Sequence, residues 1–180
     1  MQRTLEIMQH RQRAMSRSLL AIRSLARRSL RSGHPPDFAQ IGRLVGYLER
    51  FPQGRHQPAE DQHLLRAVER REPGAARAVA RARRDHAACL GYFNRLNSAF
   101  VRWRGGQSSA GGELALMADD YVRFCRLHAR IEARDVLSVA ARVLHPADWS
   151  AIADALAAVN DPLDSSRSGV ECTAALGAAF

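Results

Sequence analysis

Two short stretches of the chain place a histidine four residues before a glutamate, at His56/Glu60 and at His128/Glu132. Residues four apart lie on the same face of an α-helix, about one turn from each other. Imidazole nitrogens and carboxylate oxygens are ligands for iron, zinc and manganese, and two carboxylates are able to bridge two metal ions. The two pairs therefore carry the chemistry of a metal site, provided that the fold brings them together.

The elements that would position these pairs are helices separated by clear turn signals such as SGHPPD (32–37) and REPG (71–74). The intervening segments repeat apolar residues at helical spacing, and they span 3–31, 37–70, 75–103 and 113–143. A shorter helix at about 147–158 follows, with Asp148 as its expected N-cap. The pattern predicts an all-α fold, an antiparallel up-down-up-down four-helix bundle with a short C-terminal helix. Residues 1–163 are expected to form this domain, and residues 164–180 a disordered tail.

Helical phase and chain distance predict that three histidines meet inside the bundle. At 100° per residue, His56, His86 and His128 share the apolar faces of their helices, together with Glu60 and Glu132. The midpoints between successive histidines, residues 71 and 107, fall in turns, so antiparallel helices would bring the histidines to one level. Buried carboxylates are costly unless they are paired or bound to a cation. A metal site is the favoured interpretation, and a layer of hydrogen-bonded core residues is the alternative.

Composition excludes several other classes of function. All 27 basic residues are arginine and the net charge is +9, but zinc-finger spacing and RNA-binding aromatic motifs are missing, so no specific nucleic-acid binding is expected. The three cysteines form no CxxC motif and indicate a reducing compartment, which favours a cytoplasmic location. No stretch is apolar enough to predict a membrane span. No nucleophile–base pair or phosphate loop is recognisable, so no catalytic residue is predicted.

The order His…HxxxE…His…HxxxE resembles the hemerythrin-like, HHE cation-binding domain over about residues 3–163. The matching stretches are YLERFPQGRHQPAED (47–61), RRDHAACL (83–90), RLHARIEARDVL (126–137) and RVLHPADWSAIADALAAVNDPL (142–163). The resemblance implies a four-helix bundle with a non-haem iron centre, usually a carboxylate-bridged pair. Glu60 and Glu132 would bridge, His86 and His128 would bind one iron, and His56 the other with a first-helix histidine. One or two iron ions are expected, with zinc or manganese as alternatives.

The first helix lacks an obvious histidine at that position. Its apolar stripe is read as Leu5, Met8, Met15, Leu19, Ile22, Ala26 and Leu30. Gln12 falls in the middle of this stripe, whereas His10 lies about 160° away from it. Gln12 is therefore predicted at the first ligand position, and a shift of the helix that brings in His10 is the alternative. An amide oxygen binds iron more weakly than imidazole, so we expect the second metal position to be weak, altered or empty.

Two more polar residues share the predicted ligand faces. His63 and Asp135 each lie seven residues after a predicted ligand histidine, and packing or ion pairing is favoured over a role as outer partner or substitute ligand. His34 in the first turn and His145 before the last helix are not expected to bind metal.

The resemblance implies that the site binds or senses a small redox ligand such as dioxygen, nitric oxide or peroxide. The alternatives are an iron-dependent redox enzyme or iron-repair protein on the same scaffold, and a degenerate structural or interaction bundle. Self-association into a homodimer is left open by the sequence.

Overall fold

The amphipathic segments form helices throughout the part of the chain that the computed structural model describes, residues 1–159 and 161. No strand occurs among those residues, so the described fold is all-α. The α-helices are α1 Gln2–Ser32, α2 Phe38–Leu48, α3 Gln57–Ala59, α4 Arg66–Arg71, α5 Ala76–Arg104, α6 Ala110–Glu132, α7 Ser138–Val143 and α8 Pro146–Ala158. A short 3₁₀ turn, Pro73–Ala75, precedes α5. The predicted tail, 164–180, lies outside the described residues.

Three π-helical segments join the shorter α-helices: π1 Glu49–His56, π2 Glu60–Leu65 and π3 Ala133–Leu137. The backbone consequently stays helical through Pro52 and Pro58, as the sequence predicted for the second segment. A π-helix has wider turns, because its hydrogen bonds run from residue i to i+5. The prolines, which lack an N–H group, are accommodated in or beside these wider turns rather than ending the helix.

Packing centres on α6, which lies against both α1 and α5, while α8 covers α1 and π2. The buried hydrophobic side chains fall into two clusters. The larger one involves residues 14–51 of the first helices, 89–103 of α5 and 110–125 of α6; the smaller one involves Met8, residues 59–82, and residues 136–156. A band of polar residues separates the two clusters on each of the main helical segments. Among the described residues, no helix is long and apolar enough to span a membrane.

The buried face of α1 differs from the apolar stripe predicted from the sequence. Its buried residues are Thr4, Met8, Arg11, Ala14, Met15, Ser18, Leu19, Ala21, Ile22, Leu25 and Ala26. Leu30, predicted to be in the core, is 49% exposed, and Leu5 is only half-buried. Arg11 and Ser18 thus occupy central positions that a search for apolar residues alone passes over. The centre of the buried face runs through Arg11, and Gln12 lies at its edge.

Two helix starts also differ from the sequence prediction. α6 begins at Ala110, three residues before the start of the predicted segment 113–143. α8 begins at Pro146 and its N-cap is His145, so the prediction of Asp148 as the N-cap was wrong. Asp148 is instead the third residue of the helix, and its carboxylate accepts a hydrogen bond from the backbone N–H of His145 at 2.9 Å. The two residues form a capping box, which satisfies donors that a helix start leaves unpaired.

Gly111 marks a close approach between α5 and α6. A Cβ atom added at Gly111 would lie 2.6 Å from Cε2 of Trp103, whereas one added at Gly112 would meet nothing within 4 Å. We expect Gly111→Ala to lower the free energy of unfolding by about 1–3 kcal/mol, because overpacking forces neighbours apart. The matched Gly112→Ala should raise it by up to about 1 kcal/mol through better helix propensity. Urea unfolding of both variants measures this; equal effects would contradict the close packing.

Candidate metal centre

The centre of the polar band is formed by His86 of α5 with His128 and Glu132 of α6. One ligand atom from each of these three residues lies within 4.8 Å of the others, and all three side chains are buried. The two imidazole rings meet edge to face, with their centroids 4.9 Å apart. His128 and Glu132 are one helical turn apart, and the packing of α5 on α6 supplies His86. The sequence predicted these three residues at one level, and the structure brings them together.

Two aspartates fix the orientation of these histidines. Asp61 Oδ1 lies 2.8 Å from Nδ1 of His86, and Asp85 Oδ2 lies 3.4 Å from Nδ1 of His128. A carboxylate accepts a hydrogen bond from Nδ1–H, so Nε2 of each neutral ring keeps its lone pair. The sequence interpretation missed both aspartates. The available signal was their position next to a predicted ligand, since Asp61 follows Glu60 and Asp85 precedes His86.

Glu60 of π2 links this centre to His56. Its Oε2 lies 3.6 Å from Nε2 of His86, and its Oε1 lies 3.2 Å from Nε2 of His56. The second distance is short, but the two groups are not aligned for a hydrogen bond, so Oε1 has no hydrogen-bond partner in the described part of the chain. The same is true of Glu132 Oε1 and of His86 Nε2. Buried polar atoms are normally paired, and three unpaired ones directed at one region fit a bound cation.

Arg11 is the residue of α1 that reaches His56. Its Nη1 donates toward Nδ1 of His56 at 3.1 Å, and its Nη2 donates to the carbonyl oxygens of Leu156 and Val159, each at 2.6 Å. Its guanidinium also lies 5.1 Å from the centre of the Phe51 ring. The side chain is buried, and a buried arginine is rare unless its charge is compensated or its donors are satisfied. The sequence interpretation did not identify Arg11.

The other candidates lie outside this cluster. Gln12 is half-buried and lines a surface groove of about 470 Å³ between α1 and α6. His10 is half-buried on the same helix as Gln12, and no contact joins either residue to His56 among the described interactions. His63 lines a separate surface cavity beside α8, and the carboxylate of Asp135 pairs with Arg134 at 2.6 Å. The pairing of Asp135 agrees with the role favoured for it from sequence.

Burial controls the protonation of the carboxylates. Burial raises the pKa of Glu132 to about 7, and the charge of His86 acts in the opposite direction. Burial, and then the charge of Glu132, hold the pKa of Glu60 well above its ordinary range. Each carboxylate thus resists ionisation in a site that has no cation, and a bound metal would reverse this preference.

The imidazoles respond to burial in different ways. Burial lowers the pKa of His56 strongly and the nearby Arg11 charge lowers it further. Burial also lowers the pKa of His128, with His86 acting in the same sense. Burial opposes protonation of His86 too, but the hydrogen bond and charge of Asp61 more than offset it, so its pKa is raised. Neutral His128 is in the state that metal coordination requires.

Two imidazoles and one carboxylate, with a second carboxylate close by, make a donor set suited to iron, manganese or zinc. Comparison with protein families finds a match to the hemerythrin HHE cation binding domain over residues 3–140, more than half of the chain. The family resemblance inferred from the sequence is thereby confirmed. Neither the curated proteins nor the solved structures include a match.

The buried carboxyl group of Glu132 should make the metal-free protein less stable as pH rises. Its folded-state pKa of about 7 exceeds the ordinary value of 4.5, so the folded state holds this proton more tightly than the unfolded state. The resulting stability is present at low pH and is lost as pH rises toward 7. Relative to Glu132→Gln, the wild-type free energy of unfolding should fall by about 2–3 kcal/mol between pH 5 and 8.

Urea unfolding in a chelator measures that difference. The half-buried Glu113, whose pKa is lowered by its hydrogen bond to Arg102, offers a matched control. Its charge–charge stabilisation is lost only at acid pH, so the difference between Glu113→Gln and wild type should stay flat from pH 5 to 8. Parallel curves for wild type and Glu132→Gln would contradict the burial argument.

The hydrogen bond of Asp61 to His86 should contribute to metal affinity. Removing an outer partner of a ligand histidine lowers metal affinity about 10–100-fold in other proteins. We expect a loss of this size for Zn²⁺ on Asp61→Ala, measured by calorimetric titration at pH 7. Asp154→Ala, which removes an exposed aspartate paired with Arg3, is the control and should leave affinity unchanged. Equal affinities for the two variants would rule out a role for Asp61.

Proposed function

The chain belongs to the hemerythrin HHE cation-binding domain family, and we propose that it holds a non-haem iron ion on His86, His128 and Glu132. The observation that carries the proposal is the convergence of three buried ligand atoms within 4.8 Å. His86 Nε2 and Glu132 Oε1 have no hydrogen-bond partner among the described residues. Glu60 completes the donor set, because its Oε2 lies 3.6 Å from Nε2 of His86.

Iron is proposed over zinc and manganese because the chain matches the hemerythrin family, whose domains typically bind iron, and because the donors suit it. Two histidines and one carboxylate are the set that non-haem iron proteins use when they leave coordination positions open for an external ligand. A structural zinc site would instead be closed by four protein ligands, commonly including cysteine. Bound iron would supply the open positions and redox chemistry that dioxygen, nitric oxide or peroxide requires. Binding or sensing of such a small redox ligand is therefore the proposed function.

The chain's own residues would prepare the site for this role. Asp61 and Asp85 hold the Nδ1 atoms of the two histidines and so keep both Nε2 lone pairs directed inward. The apolar clusters on either side of the polar band limit the access of water. We propose that the helices form the antiparallel four-helix bundle expected from the sequence, because this arrangement brings the three histidines to one level.

The cellular location and the oligomeric state are also proposals. Cys89 and Cys125 are buried free thiols, which suits a reducing compartment such as the cytoplasm. Leu90 and Val101 of α5 and Leu116 and Leu127 of α6 are exposed apolar side chains. They are the feature that favours a homodimer, which light scattering of the purified protein would detect.

Metal content per chain after purification without chelator tests the proposed function. We expect iron in the wild type and its loss in His128→Ala, since one of two imidazole ligands is removed. His34→Ala is the matched control, because His34 lies exposed between α1 and α2. Visible absorption that changes reversibly with dioxygen or nitric oxide would support ligand binding.

Other results would point elsewhere. Catalytic loss of peroxide or nitric oxide that Glu132→Ala abolishes would favour the enzyme alternative. A metal-free wild type whose melting temperature ignores iron, zinc and manganese would contradict the proposal and favour a degenerate structural bundle.

A further inference from the structure

We propose that the guanidinium of Arg11 takes the place of a second metal ion beside His56 and Glu60, so that the centre binds one metal ion per chain. This inference rests on the proposed metal site at His86, His128 and Glu132. It assigns a role to a residue of α1 and removes His56 from the ligand set that the family resemblance implies.

Arg11 is held firmly in this position. Two of its contacts are the 2.6 Å hydrogen bonds to the carbonyl oxygens of Leu156 and Val159, at the C-terminal end of α8. Carbonyl groups at a helix C-terminus carry a partial negative charge and so favour a cation, and the Leu156 carbonyl here has only the N–H of Val159 as a backbone partner among the described residues, at 3.1 Å. The Phe51 ring lies 5.1 Å from the guanidinium and adds a cation–π contact. The position of the guanidinium beside His56 is therefore fixed by α8 and π1.

The contact at 3.1 Å between Arg11 Nη1 and His56 Nδ1 determines where the imidazole proton lies. A guanidinium has only donors, so Nδ1 of His56 must accept with its lone pair. A neutral imidazole has one N–H, which then has to be at Nε2. Nε2 is the atom that faces Glu60 Oε1 at 3.2 Å. With a proton there, His56 has no lone pair to offer a metal on the side of the carboxylates.

The comparison with the other two histidines makes the contrast clear. His86 and His128 have an aspartate at Nδ1, and their Nε2 atoms are free to coordinate. His56 has a donor at the equivalent atom and presents an N–H inward. The charge of the group that contacts Nδ1 thus distinguishes the two proposed ligands, His86 and His128, from His56.

Charge also disfavours a second metal ion beside His56. The guanidinium of Arg11 lies behind the His56 ring, whose Nε2 faces Glu60 Oε1 at 3.2 Å. It therefore places a positive charge on the side of Glu60 where a second metal ion would otherwise lie. A divalent ion on the His56 side of Glu60 would be repelled by the guanidinium in a poorly screened interior.

Three measurements test the inference, with Zn²⁺ alone as the probe. We expect one tightly bound equivalent in the wild type, and less than about a threefold change in affinity on His56→Asn. Loss of a true ligand should cost at least the roughly tenfold that loss of an outer partner costs. In the metal-free wild type, the ¹⁵N shifts of the His56 ring should show the proton at Nε2. This last readout involves neither metal nor activity.

Variants of α1 complete the test. Arg11→Gln removes the charge and provides a carbonyl that accepts from Nδ1–H, so it should permit a second equivalent of Zn²⁺. Gln12→His, at the adjacent position in the surface groove between α1 and α6, is the matched control and should leave one bound equivalent of Zn²⁺ per chain. If Arg11→Gln does not fold, the His56→Asn affinity and the ¹⁵N shifts decide.

The outcomes separate this inference from the proposed function. Two tight equivalents in the wild type, or a His56 proton at Nδ1, would overturn the role of Arg11 and leave the metal site intact. No binding of Zn²⁺ to wild type would overturn both. A gain of the second equivalent on Gln12→His and not on Arg11→Gln would also overturn the inference, in favour of the position predicted from sequence.

Discussion

The cost of burying two carboxylates between two apolar clusters is the constraint on which this structure depends. Glu60 and Glu132 are almost fully removed from solvent, and each has an oxygen that finds no hydrogen-bond partner among residues 1–159 and 161. An ionised carboxylate in such a place needs a cation or several donors within reach. The surrounding residues provide two kinds of compensation: imidazoles arranged for a metal on one side, and a guanidinium on the other.

The main helical segments supply these groups, because the polar band crosses them at one level. On α1 the band is represented by Arg11, which lies between Met8 of the smaller cluster and Ala14 of the larger one. On α5 it is His86, between Ala82 and Cys89. A layer that interrupts the core in this way weakens hydrophobic packing locally, so it has to be compensated by polar contacts within the layer. The contacts of Arg11 with α8 are part of that compensation.

Much of the layer could be predicted from the sequence, and the reason is geometric. The 100° rule and the midpoints of two turns bring His86 and His128 to one level, which the structure shows with ring centroids 4.9 Å apart. The family was also recognisable, because its motif is spread over several helices. On α1 the predicted stripe missed the buried Arg11, because it was drawn through apolar residues only. Arg11 lies at the centre of the buried face, and a charged residue is not expected there unless its partners are known.

The partners themselves could not be predicted from periodicity. Asp61 lies on π2, where hydrogen bonds run from i to i+5 and the 100° rule no longer holds. No residue type marks a π-helical segment, so its effect on side-chain direction appears only in the structure. The carbonyl groups that bind Arg11 belong to α8, which is distant in the chain and contributes backbone rather than side chains. Sequence periodicity cannot reveal such a contact between a side chain and a distant backbone.

The polar band also explains how, on our proposal, two identical ligand spacings could hold a single metal ion. His56 and His128 have the same spacing to a glutamate, and both rings are buried against that glutamate. What differs is the residue behind the ring, since Asp85 accepts a hydrogen bond from His128 and Arg11 donates one to His56. Because a neutral imidazole carries a single proton, a donor at one nitrogen places the ring's own proton on the other. Whether a histidine in this layer can bind metal therefore depends on the charge of its outer partner, which here comes from a different helix.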